Sequence, residues 1–289
     1  PLADAAKKLR HYYSRRPKTS LMSDARPITG REYWNALWQG SRPLSPIDPH
    51  KGGLRNYAYR HLHMVFSTVL AGENPNGKQL IEIGCGGSRW LAYFRRTHGC
   101  HISGIDYSPQ GCAATQALLD RQDIAGEIVQ GDLFAPPADH LNKFDFVVSN
   151  GLIEHFADTA AALNACAAFL KAGGLMITLV PNMTGPLGWL QRFFDRPLYE
   201  KHVPLTQEQL ARAHTEAGLD VVDCRYVLLA HLGVIQFGAL ERLIGSRPAQ
   251  VIKIALSAPI WALGPQLGMQ PNRITSPFVL CIARKKGEV

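Results

Sequence analysis

The chain has 289 residues, of which 46% are hydrophobic and 19% are charged. This length suits one large domain or two small ones, and the balanced composition excludes fibrous and disordered classes. Lysine and arginine outnumber aspartate and glutamate by 31 to 23, which gives a formal charge of +8 and a pI near 9.3. This excess favours an anionic partner, such as an acidic or phosphorylated metabolite, a nucleic acid or a membrane surface.

The six cysteines are scattered, without a Cys-x-x-Cys pair or a cysteine–histidine cluster of zinc spacing. We therefore predict reduced core thiols and no metal site. No secretory signal is recognised. The most hydrophobic stretch, Tyr226–Leu240, is shorter than the ~20 residues of a membrane span and contains His231 and Gln236. A cytoplasmic location is expected.

The N-terminal region mixes charge, proline and aromatic side chains. Six lysines and arginines between Lys7 and Lys18 predict a solvated basic arm. Two helical segments follow: an aromatic one at Arg31–Gly40 and a longer one at Leu54–Gly72, which stops at a glycine. We assign residues 1–72 to an N-terminal helical lid or arm.

Strands and helices then alternate. Strands are predicted at Gln79–Ile83, His101–Asp106, Gly126–Gln130, Phe144–Asn150 and Leu175–Val180. The helices between them are Ser88–Thr97, a segment capped by Ser108 that runs to about Arg121, and Thr159–Leu170, which precedes the Gly173–Gly174 pair. Because these connections are too long for hairpins, the pattern predicts an α/β fold with a parallel, doubly wound sheet.

The remaining sequence predicts two further strands and two insertions. The elements, in chain order, are an aromatic insertion at Asn182–His202, a helix at Leu205–Asp220 with a capping box of Thr206 and Gln209, a strand at Val221–Ala230, an apolar helical region at 231–267, and a strand at Ser276–Lys286. We therefore assign residues 73–289 to a single domain that follows the N-terminal lid. We expect its insertions, at about 182–203 and 231–273, to build an acceptor site.

The stretch Gln79–Trp90, QLIEIGCGGSRW, leads from a strand through a glycine turn into a helix. A dinucleotide turn requires glycine where this chain has Arg89, and the Gly-Lys-Ser/Thr of a Walker loop is missing. What remains is an acid-x-Gly-x-Gly pattern formed by Glu82, Gly84 and Gly86. It resembles the first motif of class I S-adenosylmethionine-dependent methyltransferases, although that family often has a third glycine in place of Ser88.

Four more features match that family in order and spacing. Asp106 ends the second strand, where an acid can accept hydrogen bonds from both ribose hydroxyls. The resemblance implies that Asp132 binds the adenine amino group and that Leu133 lies beside the ring. Phe144–Phe156 and Phe169–Asn182 are similar to the fourth- and fifth-strand motifs, of which the fourth lines the methyl-transfer centre.

The resemblance implies a Rossmann-like, seven-stranded methyltransferase sheet that binds S-adenosyl-L-methionine and releases S-adenosyl-L-homocysteine. Tyr33, Trp34 and Trp38 in the lid would close over this cofactor, as N-terminal aromatics do in related enzymes; the alternative is that they pack as the core of a lid helix. The residues assigned to cofactor binding are Glu82, Gly84, Cys85, Gly86, Asp106, Tyr107, Asp132, Leu133, Asn150, Tyr33 and Trp34.

Candidates for acid–base or substrate-orienting work are His155, Glu154 and His202. His155 follows the fourth strand near the expected methyl-transfer centre, and histidine titrates in the useful pH range. Packing or helix-capping roles are the alternative for all three. The sulfonium methyl is already activated, so alignment of the reactants can supply much of the rate even without a base.

The acceptor is predicted to be a small molecule in a biosynthetic pathway, methylated on oxygen or, next in preference, on carbon. Ser149–Leu152 lacks the Asn/Asp-Pro-Pro-aromatic sequence of nucleobase amino methyltransferases, so a nucleic acid is not expected. The insertions suit a lipophilic, aromatic or anionic acceptor, but could instead cap the sheet, mediate dimerisation or touch a membrane. A monomer or a homodimer fits.

Three other functions stay open: a nicotinamide-dependent oxidoreductase, a non-catalytic S-adenosylmethionine-binding module, and an RNA methyltransferase that uses the basic arm.

Overall fold

The computed structural model describes residues 27–39 and 43–287. The predicted basic arm between Lys7 and Lys18 lies outside the described residues. None of the helices in the described part of the chain is both long and apolar enough to cross a membrane.

Seven strands form one sheet in the order β3-β2-β1-β4-β5-β7-β6. They are β1 Gln79–Ile83, β2 His101–Asp106, β3 Gly126–Gln130, β4 Phe144–Asn150, β5 Leu170–Pro181, β6 Leu219–Val227 and β7 Phe278–Lys285. The predicted doubly wound, seven-stranded sheet is confirmed. Its order reverses between β1 and β4, which makes the carboxyl ends of these strands the expected place for a ligand.

β7 departs from the predicted parallel sheet, because it runs antiparallel to both β5 and β6. The long connection after β6 returns the chain to the carboxyl edge of the sheet. β7 enters from that edge between two strands that end there, so it must run in the opposite direction.

Ten helices are described, and most agree with the predicted positions. They are α1 Arg31–Trp38, α2 Tyr57–Ala71, α3 Trp90–His98, α4 Pro109–Arg121, α5 Thr159–Ala167, α6 Pro186–Phe194, α7 Arg196–Tyr199, α8 Gln207–Glu216, α9 Ala239–Ile244 and α10 Ser246–Leu263. The Ser108 side chain caps α4, and Thr206 with Gln209 forms the predicted capping box of α8.

Each face of the sheet has its own core. Leu80 and Ile81 are neighbours in β1 but belong to opposite clusters, as the alternation of side chains along a strand requires. Leu62, Phe66 and Leu70 bury one side of α2 in the first cluster, beside α3. The predicted lid boundary at residue 72 is therefore too late, since α2 is part of the sheet's own core.

The predicted helix Thr159–Leu170 and the glycine turn after it also differ from the structure. α5 ends at Ala167, and β5 begins at Leu170, which pairs with Phe144. A register shift before Phe146 places Gly173, with φ +74°, inside an irregular strand. The glycine pair therefore accommodates a bulge and not a helix end.

The region 231–267, predicted to be helical throughout, begins with a loop and one 3₁₀ turn before α9 and α10. It packs against α6 through a small satellite cluster of Leu187, Ile235, Phe237 and Ala249. The two insertions therefore share a hydrophobic core that is separate from the two sheet cores.

Candidate active site

A cavity of about 1120 Å³ lies at the carboxyl ends of β1, β2 and β4. The glycine turn after β1, the acid that ends β2 and the segments after β3 and β4 form its walls. Trp34 and Trp38 of α1 close one side. A cavity of this size at the switch point of an α/β sheet is the expected site for a cofactor together with a small acceptor.

The glycine turn after β1 is held by the neighbouring strand β2. The Gly84 N–H donates to the Ile105 carbonyl at 2.8 Å, and the Gly86 N–H donates to Asp106 Oδ2 at 2.9 Å. Gly84 and Gly87 adopt positive φ values of 77° and 64°. A Cβ on Gly86 would lie 2.9 Å from Asp106 Oδ2. The turn therefore requires glycine, and its backbone faces the cavity.

Glu82 and Ser88 both line the cavity and form a buried pair beside this turn. The Ser88 hydroxyl donates to the Glu82 carboxylate and accepts the Trp90 N–H at 3.0 Å. Burial raises the pKa of Glu82 to about 8, although the Ser88 hydrogen bond acts in the opposite direction. Ser88, at the position where related sequences often have glycine, thus has a specific partner.

Cys85 lies within the turn but not among the cavity-lining residues. Its side chain is fully buried, and its carbonyl accepts a hydrogen bond from the Thr115 hydroxyl at 2.6 Å. Thr115 also accepts the Ser88 N–H at 2.9 Å. Cys85 is therefore placed to fix the shape of the turn through its backbone.

The other predicted cofactor residues line the cavity: Asp106, Tyr107, Asp132, Leu133 and Asn150. Asp106 Oδ1 accepts the Ser108 N–H at 2.7 Å, so the same carboxylate orders both the turn and the start of α4. Burial raises the pKa of Asp106, and its two backbone hydrogen bonds partly offset that rise. The Tyr107 hydroxyl donates to the Thr29 carbonyl at 3.0 Å.

The lid helix α1 places its aromatic side chains in different positions. Trp34 lines the cavity and donates to the Thr29 hydroxyl at 3.0 Å. Tyr33 lies outside the cavity lining, with the Lys201 ammonium 3.8 Å from its ring centroid. Trp38 covers the glycine turn so closely that a Cβ on Gly87 would lie 2.2 Å from its indole ring.

Trp38, which the sequence predicted among the lid aromatics together with Tyr33 and Trp34, lines the cavity beside Trp34. The two tryptophans are four residues apart and therefore lie on the same face of α1. Arg89, used only to exclude a dinucleotide turn, also lines the cavity and donates to the Tyr59 hydroxyl and to the Pro46 carbonyl at 3.2 Å. It ties the segment before α2 to the glycine turn.

The three predicted acid–base residues come together beside the cavity, although only His155 lines it. His155 Nδ1 lies 2.8 Å from the Lys201 carbonyl oxygen, and His202 Nδ1 lies 2.8 Å from that of Leu198. A carbonyl can only accept a hydrogen bond, so Nδ1 carries the proton in each neutral ring and Nε2 keeps its lone pair. The two ring centroids are 4.7 Å apart.

Burial sets the protonation of this cluster. It lowers the pKa of His155 to about 4, assisted by the charges of His202 and Lys201. Glu154 is 2% exposed, its Oε2 has no hydrogen-bond partner among the described residues, and burial raises its pKa to about 8. At neutral pH, His155 is therefore uncharged, with a lone pair on Nε2.

The same three residues could hold a metal ion, because one ligand atom from each lies within 4.8 Å of the others. Two imidazole nitrogens and a carboxylate oxygen are a donor set that zinc and other first-row divalent ions accept. The prediction of no metal site was based on clusters of ligands close together in the sequence. His202 is far from Glu154 and His155 in the sequence, and only the fold brings it to them.

The insertions are not placed as expected. No described residue of 182–203 or 231–273 lines the cavity. The wall beyond His155 comes instead from α5, through Ala160, Ala161, Asn164 and Ala165. The prediction that both insertions enclose the acceptor is corrected for this cavity, because they bury their inner faces in the satellite cluster.

A sequence profile described as a methyltransferase domain matches residues 54–223. The chain is 27% identical over 201 residues to the ubiquinone biosynthesis O-methyltransferase of Cereibacter sphaeroides strain KD131, covering 66% of this chain and 79% of that one. It is 30% identical over 201 residues to the enzyme of the same name from Rhodopseudomonas palustris strain BisA53, covering 66% and 77%.

Among solved structures, the chain resembles the [4+2]-cyclase SpnF, with a TM-score of 0.59 and 16% identity over 90% of this chain and 95% of that one. At this identity, the similarity shows a shared fold.

Proposed function

Because the chain belongs to the methyltransferase domain family, whose methyl donor is S-adenosylmethionine, we propose that it transfers the methyl group to an oxygen atom of a small, lipophilic or aromatic acceptor. The observation that carries this proposal is a single cavity with the Gly84–Gly87 turn and Asp106 on one side and the neutral imidazole of His155 on another.

The residues present fit the cofactor. The turn offers backbone without side chains, Asp106 supplies a carboxylate for ribose hydroxyls, and Asp132 with Leu133 follows β3 at the place for an adenine. S-Adenosylmethionine supplies a methyl group already activated on sulfur. Trp34 and Trp38 shield this side from water, while Glu82, which lines the cavity, and Cys85, which does not, hold the shape of the turn.

On the acceptor side, His155 lines the cavity just after the end of β4, and the lone pair on its Nε2 would accept the hydroxyl proton. The Lys201 carbonyl fixes the proton on Nδ1, the His202 ring packs with its centroid 4.7 Å away, and Glu154 Oε1 lies 4.0 Å from Nε2. The alanines of α5 present a flat apolar surface next to it, which suits an aromatic ring. The names of the bacterial relatives, O-methyltransferases of ubiquinone biosynthesis, support oxygen over carbon and a biosynthetic role.

Calorimetric titration tests the cofactor side. S-Adenosylmethionine and S-adenosylhomocysteine should bind the wild type, and Asp106→Asn should weaken binding by about tenfold or more, because hydrogen bonds to an ionised carboxylate are lost. Asp120→Asn on the exposed side of α4 is the matched control and should bind normally. Binding of NADH alone would refute the proposal in favour of an oxidoreductase.

The acceptor atom is tested by turnover with S-adenosylmethionine labelled in the methyl group. A panel of catechols and phenols with side chains of increasing length is incubated with the enzyme, and NMR of the product locates the label. Label on oxygen supports the proposal. Label on ring carbon would refute oxygen as the acceptor, and cofactor binding without turnover of any acceptor would favour a non-catalytic module.

A further inference from the structure

Helix α10 is arranged with polar groups inside and apolar groups outside. Lys253 is 5% exposed and forms an ion pair with Glu241. The Ser257 hydroxyl accepts the Leu232 N–H at 3.1 Å, and the Trp261 indole N–H donates to the Ala230 carbonyl at 2.9 Å. These polar side chains therefore attach the inner face of α10 to the rest of the chain.

The outer face carries no polar group from Val251 to the end of the helix. Every exposed residue in this stretch is apolar: Val251, Ile252, Ala255, Leu256, Pro259, Ala262 and Leu263. At about 100° per residue these positions form one face about 140° wide. Leu256 is 59% and Leu263 53% exposed, and Leu267 in the following turn is 75% exposed. We call these eight residues the α10 face.

The surroundings of the α10 face are basic. No aspartate or glutamate occurs between Arg242 and Gly287. Arg242 and Arg247 precede the face and Arg273 follows it, and all three are exposed. Arg242 and Arg247 have no ion-pair partner among the described residues, whereas the Arg273 guanidinium donates to the Thr184 carbonyl at 3.4 Å. Exposed cations beside a continuous apolar face complement an anionic lipid surface, which offers phosphates above hydrocarbon.

Helix α6, in the insertion after β5, shows the same arrangement. We call the two insertions together with their shared satellite cluster the insertion core. Its inner side contributes Leu187 to the satellite cluster, whereas Trp189 is 76% and Phe193 81% exposed. Arg192 lies on the same helix, with its guanidinium 6.0 Å from the Tyr199 ring centroid. Tryptophan and arginine side by side are typical of segments that lie at the boundary between headgroups and acyl chains.

We propose that the insertion core is a docking surface for an anionic lipid bilayer, with the α10 face inserted to headgroup depth and Arg242, Arg247 and Arg273 on lipid phosphates. The helix lies in the plane of the membrane, because it is not apolar enough to cross one. No described residue of either insertion lines the cavity, so the acceptor pocket does not account for their outer faces.

Vesicle flotation of the full chain tests this surface without any turnover, so its outcome is independent of the proposed function. We expect binding to vesicles of phosphatidylcholine with phosphatidylglycerol, and at least about fivefold weaker binding to phosphatidylcholine alone. The double variant Val251→Ser/Leu256→Ser should weaken binding by about tenfold or more through lost apolar burial. Arg247→Gln should weaken it about fivefold.

Val222→Ser is the matched control, since this exposed valine lies on β6 outside the insertions. The basic arm between Lys7 and Lys18 is present in every variant, so differences among the variants come from the insertion core. All substitutions are at exposed positions, and cofactor binding with unchanged thermal unfolding verifies the fold.

Two results would overturn the proposal. In one, the double variant and the control bind vesicles equally. In the other, the wild type does not bind vesicles, and light scattering shows that it is a dimer whereas the double variant is a monomer. That result would assign the α10 face to contact between two copies of the chain.

Discussion

The Nδ1 atom of His155 lies 2.8 Å from the main-chain carbonyl oxygen of Lys201, which links the segment after β4 to the insertion after β5. This hydrogen bond determines which ring nitrogen carries the proton. Which ring nitrogen of His155 keeps the lone pair therefore depends on a residue 46 positions away in the chain. No local motif around the fourth strand specifies that contact.

Replacing His155 tests its role as proton acceptor. We expect His155→Gln to lower kcat by about 10²-fold or more, because a neutral amide cannot accept the hydroxyl proton. The Kd for S-adenosylhomocysteine should stay within about twofold of the wild type. Single-turnover kinetics and calorimetry give the two quantities, and a variant with nearly normal kcat would leave His155 as a packing residue only.

The charge of His202 should contribute to the pH at which His155 titrates. In the free enzyme the pKa of His155 is lowered to about 4, first by burial and then by His202. His202→Gln removes that neighbouring charge, so the pKa of His155 should rise towards its ordinary value and the acid limb of kcat/KM should move to higher pH. An unchanged limb in this variant would show that His202 does not influence the proton acceptor.

Trp38 should retain the cofactor rather than take part in chemistry. We expect Trp38→Ala to weaken S-adenosylhomocysteine binding about tenfold, mainly through faster release, since the indole covers the glycine turn. Trp38→Phe should recover part of the loss. Leu37→Ala, at a neighbouring exposed position of α1, is the control. Stopped-flow release rates measure the effect, and equal rates in all variants would contradict the lid role.

Ser88 should matter for stability through Glu82. Ser88→Ala leaves a buried carboxyl without its hydroxyl partner, so the free energy of unfolding should fall by about 1–3 kcal/mol. In Glu82→Gln, the same serine substitution should have a smaller effect, because the group that needs the hydroxyl is changed. Urea unfolding of the four proteins measures the coupling, and simple additivity would argue against the pair.

His214 should make the protein sensitive to acid. It is fully buried between the Thr178 hydroxyl and the Leu210 carbonyl, and burial lowers its pKa to about 4. The folded state disfavours protonation, so its contribution is present above the ordinary pKa near 6.5 and is lost as pH falls towards 4.

Between pH 7.5 and pH 5 this single group should lower the free energy of unfolding by about 2 kcal/mol. His214→Gln should be less stable than the wild type at pH 7.5 but should lose about 2 kcal/mol less on acidification. Urea unfolding at the two pH values tests this difference. Equal pH dependence in both proteins would assign the acid sensitivity to other groups.

Sequence reasoning placed most strands and the cofactor half of the cavity, because those signals are local. The turn from Gly84 to Gly87 follows a buried strand, and Asp106 ends the next one, so their meeting follows from the parallel order of the sheet. The sequence-based predictions were wrong where the residues in contact are distant in the chain. The antiparallel β7, the bulge at Gly173 and the membership of α2 in the core all depend on pairing with remote segments.

The sequence by itself determined the alternation of strands and helices, the glycine turn with its acidic partners and the resemblance to methyltransferases, since hydrophobic periodicity and turn chemistry act over a few residues. Only the tertiary structure decided which residues share a wall. It brought His202 to His155 and Trp38 to Gly87, and it turned the apolar face of α10 outward. Packing between segments far apart in the chain settles those contacts, and no local pattern encodes them.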